Sequence, residues 1–236
     1  MLTRMRIIRK LHHLTHPVLG RILMLHRVVT LRDEEKNREL EITPDFLEQT
    51  IGDYREKGFR FVSIDEACDI IEKGKRMKPF VCLTFDDGYS DNFTLALPLL
   101  KRLEVPFAIY VTTGFVDNRL PMWWYPDERL GLGLDELKAL DAEPLCSLCC
   151  HTVSHPHLDK LSAEEQYREI AESKNTLEQW LGHAVHHFSY PHGAYDDDTL
   201  KQVNVCAYRS ALQAWGGNVR RGDSLLLLPR IELRQP

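Results

Sequence analysis

Two adjacent carboxylates are the first residues of the chain whose types and spacing could do chemistry. Asp86 and Asp87 stand in the stretch LTFDDGY, directly after an apolar run and directly before Gly88. Like charges repel, and burying either one is costly unless a cation or hydrogen-bond donors compensate. The pair therefore favours a site in which one carboxylate meets a cation, although Asp-Asp-Gly is also an ordinary polar turn.

Two histidines four residues apart offer the nitrogen ligands that such a cation would need. His151 and His155 stand in the stretch HTVSH, which follows a predicted apolar strand and precedes Pro156. At this spacing we expect both imidazoles on one face of a helical turn that ends near the proline. Two imidazoles and one carboxylate leave coordination positions for water and substrate, as catalytic metal sites do.

The cysteines suggest a second, weaker metal hypothesis. There are six of them, and Cys146, Cys149, Cys150 and His151 resemble half of a structural zinc site. A second Cys-x-x-Cys pair is missing from the sequence. We expect reduced thiols that pack as small hydrophobic side chains.

Short apolar runs alternate with helical patterns along the chain, and this alternation must position the candidate residues. Helix starts are predicted at Thr43 with Pro44, at Ser63 with Glu66, and at Ser162 with Glu165. Alternating strands and helices favour parallel pairing with the ligand site at the carboxyl ends of the strands, so an irregular (β/α) barrel is predicted. The predicted strands are Ile22 to Leu25, Arg60 to Val62, Phe80 to Phe85, Phe107 to Val111, Leu145 to Cys150, His187 to Tyr190 and Cys206 to Ser210.

Length, composition and charge limit the classes of protein and of partner. The chain has 236 residues, 43% of them hydrophobic, and a net charge of −5, which predicts one globular domain over residues 21–236 and excludes nucleic acid as the expected partner. No apolar run is long enough to span a bilayer. Residues 1–20 form a basic segment that we expect to be helical, and its pattern is not that of a secretory signal. We therefore expect a cytoplasmic protein, with this segment either packed on the domain or in peripheral contact with the inner face of the membrane.

Three motifs together resemble those of the polysaccharide deacetylase family, whose members share the NodB-homology domain. They are TFDDG at 84–88, His-Thr-x-x-His at 151–155 and Tyr-Pro-x-Gly at 190–193, and the likeness extends from about Leu23 to Ile231. The resemblance implies an α/β fold, namely a distorted, incomplete (β/α)7 barrel of the polysaccharide deacetylase type. It also implies a metal-dependent hydrolase that removes acetyl groups from sugar polymers.

The resemblance also assigns roles to residues of this chain. It implies that Asp86 is the catalytic base and that Asp87, His151 and His155 hold a divalent metal, with Zn²⁺ favoured and other transition ions left open. It further implies that Tyr190, Pro191 and His192 border the substrate, with the main-chain N–H of His192 stabilising the oxyanion.

Three substrate-side assignments rest on departures from the commonest family pattern or on composition. Ser189 stands where many members have an arginine that braces the catalytic aspartate. We expect Arg230 to brace the aspartate instead. The alternative is that Arg230 is an exposed arginine near the end of the domain. A Leu-x-x-His pattern lies at Leu23 to His26, so His26 is expected to be the catalytic acid, unless it merely caps a strand. Trp123 and Trp124 are expected to stack on sugar, with packing in the core as the alternative.

The predicted function is metal-dependent deacetylation of an N-acetylated sugar on a glycan or a lipid-linked glycan precursor. The expected partner is accordingly an acetylated oligosaccharide or polysaccharide. A carbohydrate-binding protein descended from such an enzyme, with little turnover, is the alternative. The sugar, its linkage, the choice between N- and O-acetyl groups and the oligomeric state stay open.

Overall fold

Seven parallel strands form a closed ring in the computed structural model, which describes residues 17–32, 38–73, 78–126 and 128–236. Around the ring the order is β1, β11, β9, β8, β7, β6 and β5, and β1 pairs with β5 to close it. Helices surround the ring, and the predicted distorted (β/α)7 barrel is confirmed. The ring strands are β1 Val18–Leu25, β5 Phe80–Phe85, β6 Phe107–Val111, β7 Cys146–Cys150, β8 His187–Ser189, β9 Ser210–Gly216 and β11 Leu228–Glu232.

Four short strands accompany the ring. β4 (Arg60–Phe61) adds to β5 in parallel, and β10 (Val219–Arg220) adds to β1 in the antiparallel direction. β2 (Arg27–Val28) and β3 (Glu41–Ile42) form a separate two-stranded sheet. Register shifts between β1 and β10 and between β11 and β9 make the barrel irregular.

The helices begin where the sequence places caps. The side chain of Thr43 accepts a hydrogen bond from the N–H of Phe46, and the reciprocal capping box of Ser162 and Glu165 is present. At Ser63 only half of the predicted box forms, because the side chain of Glu66 pairs with Arg60 instead. The helices are α1 Pro44–Glu56, α2 Ile64–Lys73, α3 Leu97–Arg102, α4 Leu134–Asp141, α5 Ala163–Leu181 and α6 Asp197–Val205.

The two ends of the barrel domain differ from the predicted elements. β1 begins at Val18, inside the segment predicted to be basic and helical, because Val18 and Gly20 pair with β10. The rest of that segment, residues 1–16, lies outside the described residues. The predicted strand Cys206 to Ser210 is wrong: the chain turns there, with Ala207 at φ 56°, and β9 occupies Ser210–Gly216.

Alternating strand side chains build two layers of core. Leu83, Phe85 and Cys150 belong to the cluster that packs under the surrounding helices. Cys82 and Cys149 belong to a second cluster, which gathers side chains from opposite sides of the ring and therefore fills the barrel. Residues of α2 join this inner cluster and close the amino end of the barrel.

In the described ranges, no helix has the length and apolar character required to cross a membrane.

Candidate active site

A cleft of about 350 Å³ opens at the carboxyl ends of the ring strands. This is the end at which parallel barrels build their sites, because the loops that follow different strands converge there. Its lining includes nine of the predicted site residues, namely His26, Asp86, Asp87, Trp123, Trp124, His151, His155, Tyr190 and His192. Residues more than a hundred positions apart in sequence therefore face one space.

Asp86 is held by a buried guanidinium. Arg230 Nη1 donates to Asp86 Oδ1 at 2.8 Å, and Nη2 donates to Oδ2 at 2.6 Å. Arg230 also donates to the hydroxyls of Ser189 and Thr84, and its side chain is fully buried. The geometry is the bidentate bracing expected of Arg230, and it contradicts the alternative of an exposed terminal arginine.

This arrangement keeps Asp86 ionised. Burial acts to raise the pKa of Asp86, but the charge of Arg230 outweighs burial and holds this pKa far below its ordinary value. Asp86 is therefore in the unprotonated form that a general base requires.

Asp87 turns away from Arg230 and faces the two histidines. His155 Nε2 lies 3.3 Å and His151 Nε2 3.5 Å from Asp87 Oδ1. The ligand atoms of these three residues all lie within 4.8 Å of one another, and they are the only such group in the described part of the chain. Asp87 has φ 74°, in the left-handed region, and this directs its side chain differently from that of its neighbour.

A hydrogen bond sets the tautomer of the first histidine. His151 Nδ1 lies 2.8 Å from the carbonyl oxygen of Ser189, which can only accept, so Nδ1 carries the proton and Nε2 offers a lone pair. Burial lowers the pKa of His151 to about 4, so the ring is neutral near pH 7. Burial also lowers the pKa of His155.

The helical turn predicted for His151 to His155 is wrong. The segment is an irregular loop in which Thr152 and His155 have φ 68° and 60°, and left-handed residues interrupt a helix. Glu169 of α5 holds this loop: its carboxylate accepts from the N–H groups of Val153 and Ser154 at 2.8 and 2.9 Å and from the Ser154 hydroxyl. The two imidazoles still meet, with ring centroids 4.9 Å apart.

The Asp-His-His group fits a divalent cation. Asp87 Oδ1 and His155 Nδ1 are buried, and neither atom has a hydrogen-bond partner among the described residues. Burial, followed by the charge of Asp86, holds the pKa of Asp87 well above its ordinary value. A cation held by Asp87 and the two Nε2 atoms would compensate the buried carboxylate, and nitrogen and oxygen donors of this kind suit Zn²⁺.

The two tryptophans of the β6 loop differ in position. Trp124 is half-buried: its Nε1 donates to the Tyr89 hydroxyl at 2.7 Å, and its ring lies 5.0 Å from that of His155. Tyr89 in turn hydrogen-bonds Asp87, so Trp124 packs beside two of the candidate ligands. Trp123 is 66% exposed and meets Trp124 edge to face. The indole of Trp123 is therefore accessible to solvent at the mouth of the cleft.

Of the remaining predicted residues, His26, Tyr190 and His192 line the cleft, whereas Pro191 is not part of its lining. His26 follows β1 and interacts with the charge of Asp86, and burial lowers its pKa. His192 has φ 57° and stacks on His157 with ring centroids 3.9 Å apart. Pro191 and Tyr190 are buried, and the Tyr190 hydroxyl donates to the carbonyl oxygen of Leu226.

The cysteine cluster does not gather four ligands. All six cysteines are free thiols. Cys149 points into the barrel and Cys150 toward the helices, because consecutive strand residues face opposite sides. Burial raises the pKa of Cys150 to about 12, so this thiol packs as a hydrophobic group.

Sequence reasoning missed three residues that complete the site. Trp215 lines the cleft from the end of β9. Because the strand was predicted at Cys206 to Ser210, Trp215 was not expected at a strand end. Glu169 was one of many charged residues on an amphipathic helix, with no signal of its own. Ser189 was noted only as a substitute for arginine, yet its hydroxyl bonds both Arg230 and Asp86.

Comparison with known proteins agrees with the geometry. The family model "Polysaccharide deacetylase" matches residues 73–211. YxkH of Bacillus subtilis (strain 168), assigned by name to the polysaccharide deacetylases, is 25% identical over 179 residues, which are 75% of this chain and 60% of YxkH. The chain thus spans about 60% of the length of the curated relatives it matches.

Solved structures share the fold over nearly the whole chain. The Streptococcus pyogenes deacetylase PplD, solved in complex with acetate, is 28% identical with a TM-score of 0.80, over 92% of this chain and 93% of PplD. IcaB from Ammonifex degensii has a TM-score of 0.77 at 23% identity, over 92% of this chain and 93% of IcaB, which supports the fold alone. The motif geometry, the matching family model and the shared barrel agree, and the chain belongs to the polysaccharide deacetylase family.

Proposed function

We propose that this chain is a metal-dependent hydrolase that removes acetyl groups from N-acetylated sugars of a glycan or of a lipid-linked glycan precursor. The observation that carries the proposal is the pairing of two neighbouring carboxylates with different partners. Asp87 faces two imidazoles, while Asp86 is braced by Arg230 at the same cleft. A protein that only binds sugar needs neither arrangement.

The roles of the residues follow from their contacts. Asp87, His151 and His155 would hold the ion, which supplies Lewis acidity that polarises an acyl carbonyl and acidifies water. Asp86 stays ionised beside it and takes the proton of the attacking water as the new C–O bond forms. Arg230 keeps the carboxylate in the required orientation through two hydrogen bonds.

Two further groups act on the oxygen and the nitrogen of the amide. The main-chain N–H of His192 is the proposed donor to the carbonyl oxygen, as the family resemblance implies. His26 is the proposed acid: it gives a proton to the sugar nitrogen as the C–N bond breaks, so that acetate and a free amino sugar leave. His26 lines the same cleft as Asp86.

Replacing His26 with alanine tests the acid role. We expect His26→Ala to lower kcat by about 10²- to 10⁴-fold, the usual contribution of a positioned general acid. The measurement is acetate release under saturating substrate, with zinc content determined in parallel. His183→Ala is the matched control, because His183 is exposed and pairs with Asp141 instead of facing the cleft. Full activity of His26→Ala would remove the residue from the mechanism.

The function itself is tested by acetate release from several substrate classes. N-acetylglucosamine oligomers, peptidoglycan fragments and lipid-linked sugars are incubated with the protein, with and without a chelator. We expect chelator-sensitive release from at least one class. Binding of these sugars without any release would favour the carbohydrate-binding alternative.

Metal analysis of two variants separates the catalytic from a structural site. We expect Asp87→Ala to lose bound zinc and Cys149→Ser to retain it. Loss of zinc from Cys149→Ser with retention in Asp87→Ala would contradict the proposed site.

We also propose a cytoplasmic location, with residues 1–20 in contact with the inner face of the membrane. Arg4, Arg6, Arg9 and Lys10, which are interleaved with apolar residues, support this. Sedimentation of the full chain with anionic vesicles tests it: we expect binding that salt weakens, and the absence of binding at low salt would contradict it.

A further inference from the structure

An exposed indole lies on the side of the cleft away from the predicted tryptophans. Trp215, near the carboxyl end of β9, is 65% exposed and lines the same cleft as Asp86 and the histidines. Ligand-binding clefts are lined predominantly by hydrophobic and aromatic side chains. Neither the metal group nor the bracing of Asp86 uses Trp215.

The order of the strands places Trp215 across the mouth from Trp123. Trp123 belongs to the loop after β6, and β9 lies three places from β6 around the seven-strand ring, which is as far as that ring allows. β7, which precedes His151, lies between them on one side, and β5, which precedes Asp87, lies on the other. The catalytic centre therefore stands between two exposed indoles.

Each of the two indoles packs against a neighbouring residue and is also exposed to solvent. Trp123 meets Trp124 edge to face, with ring centroids 5.1 Å apart. Trp215 packs against Gly193. A Cβ added to this glycine would lie 3.4 Å from the ring of Trp215 and 2.9 Å from Cβ of Ala214. Each ring is thus held in place while 65% or more of the residue stays accessible. A supported flat apolar face suits the C–H face of a pyranose ring, whose hydroxyls can stay in water.

We propose that Trp123 and Trp215 bind two sugars of one glycan chain, on opposite sides of the sugar that is deacetylated. This inference rests on the proposed function and deepens it. The preferred substrate is then a chain in which the reacting N-acetyl sugar has neighbours on both sides. A single sugar on a lipid carrier would occupy one indole at most.

The test compares substrates of increasing length. Acetate release is measured with N-acetylglucosamine from the monosaccharide to the hexasaccharide for the wild type, Trp123→Ala and Trp215→Ala. We expect each substitution to lower kcat/KM for the long oligomers by about 2- to 10-fold, the effect of one aromatic stacking contact, and to have its smallest effect on the monosaccharide. Trp215→Phe keeps a flat ring and should recover much of the loss.

A control variant shows that the effect belongs to the cleft. Tyr167→Ala removes an aromatic side chain of α5 that is 45% exposed and lies outside the cleft, and it should behave as the wild type at every length. Melting temperatures of all variants should agree, because the removed side chains are exposed. Calorimetric binding of the hexasaccharide gives a measurement that does not depend on turnover, and Trp215→Ala should bind it more weakly.

The outcomes separate the two proposals. If Trp215→Ala shows the same dependence on length as the wild type and the same affinity for the hexasaccharide, the second sugar position is wrong while the deacetylase function stands. If the wild type releases no acetate from any oligomer but Trp215→Ala still loses affinity, the sugar position stands and the hydrolase function is wrong.

Discussion

Asp86 and Asp87 are neighbours with opposite pKa shifts, and their backbones explain how this is achieved. The left-handed φ of Asp87 sends its carboxylate toward His151 and His155, whereas Asp86 points to Arg230. The sequence predicted this division of roles and all three candidate ligands. It could not predict the loop geometry of the histidines, because left-handed Thr152 and His155 carry no signal in their residue types.

Replacing Arg230 with lysine tests the bracing of Asp86. A lysine keeps the charge but cannot make two parallel hydrogen bonds to one carboxylate. We expect Arg230→Lys to lower kcat at least tenfold, while zinc content stays at the wild-type level because Arg230 does not contact the metal group. Unchanged kinetics would show that the bidentate contact is not needed, and circular dichroism verifies that the variant is folded.

Single elements position these residues through contacts that leave little trace in the sequence. The capping signals at Thr43 and Ser162 predicted where helices begin, and the apolar runs predicted most of the ring strands. The prediction failed at β9, because the apolar and small residues before Ser210 also suit a strand, and only the turn at Ala207 excludes them. Because of that error, Trp215 was not predicted to line the cleft.

Helix α5 illustrates how an element can act on the site from outside it. Glu169 fixes the loop between the two candidate histidine ligands through two N–H groups and one hydroxyl. We expect Glu169→Gln to weaken zinc binding by about 10-fold or more, the lower end of the effect of groups that orient metal ligands. The measurement is zinc affinity by competition with a chelating dye.

Glu172→Gln is the matched control for this prediction. Glu172 lies on the same helix and is exposed, so its loss of charge should leave zinc affinity unchanged. Equal affinities for the two variants would contradict a positioning role for Glu169.

At the scale of the whole molecule, the fold depends on the closure of the ring between β1 and β5. Gly20 makes this possible, because an added Cβ would lie 2.5 Å from both the ring and the carbonyl oxygen of Phe80. The alternation of strands and helices predicted a barrel, but nothing in the residue types predicted which pair of strands closes it.

Gly20→Ala therefore tests the closure. We expect it to lower the free energy of unfolding by about 1–3 kcal/mol, as overpacking in a core does, measured by urea denaturation. Gly52→Ala is the control: Gly52 lies in α1 with nothing within 4 Å of an added Cβ, and alanine there should stabilise by about 0.5–1 kcal/mol. Equal effects of the two substitutions would show that the contact with Phe80 is unimportant.

Metal binding should couple the site to the stability of the whole domain, in a pH-dependent way. Zinc that binds only the folded state at a free concentration of 100 times Kd adds about 2.7 kcal/mol. The pKa of Asp87 is raised, so a proton competes with the ion at lower pH. We therefore expect the increase in Tm caused by zinc to grow as pH rises from mildly acidic to neutral, and to be absent in Asp87→Ala. A shift that is independent of pH would contradict metal binding at this carboxylate.

The ring takes its first strand from one end of the described chain and its last from the other, and this has a consequence for biosynthesis. Until the ribosome has translated β11, Leu228–Glu232, no strand can fill the position between β1 and β9 in the nascent polypeptide. Asp86 then also lacks the guanidinium of Arg230. The candidate active site is then complete only after that strand has emerged from the exit tunnel. Translation arrested at residue 227 would leave a fragment with every candidate zinc ligand but without the group that braces its base.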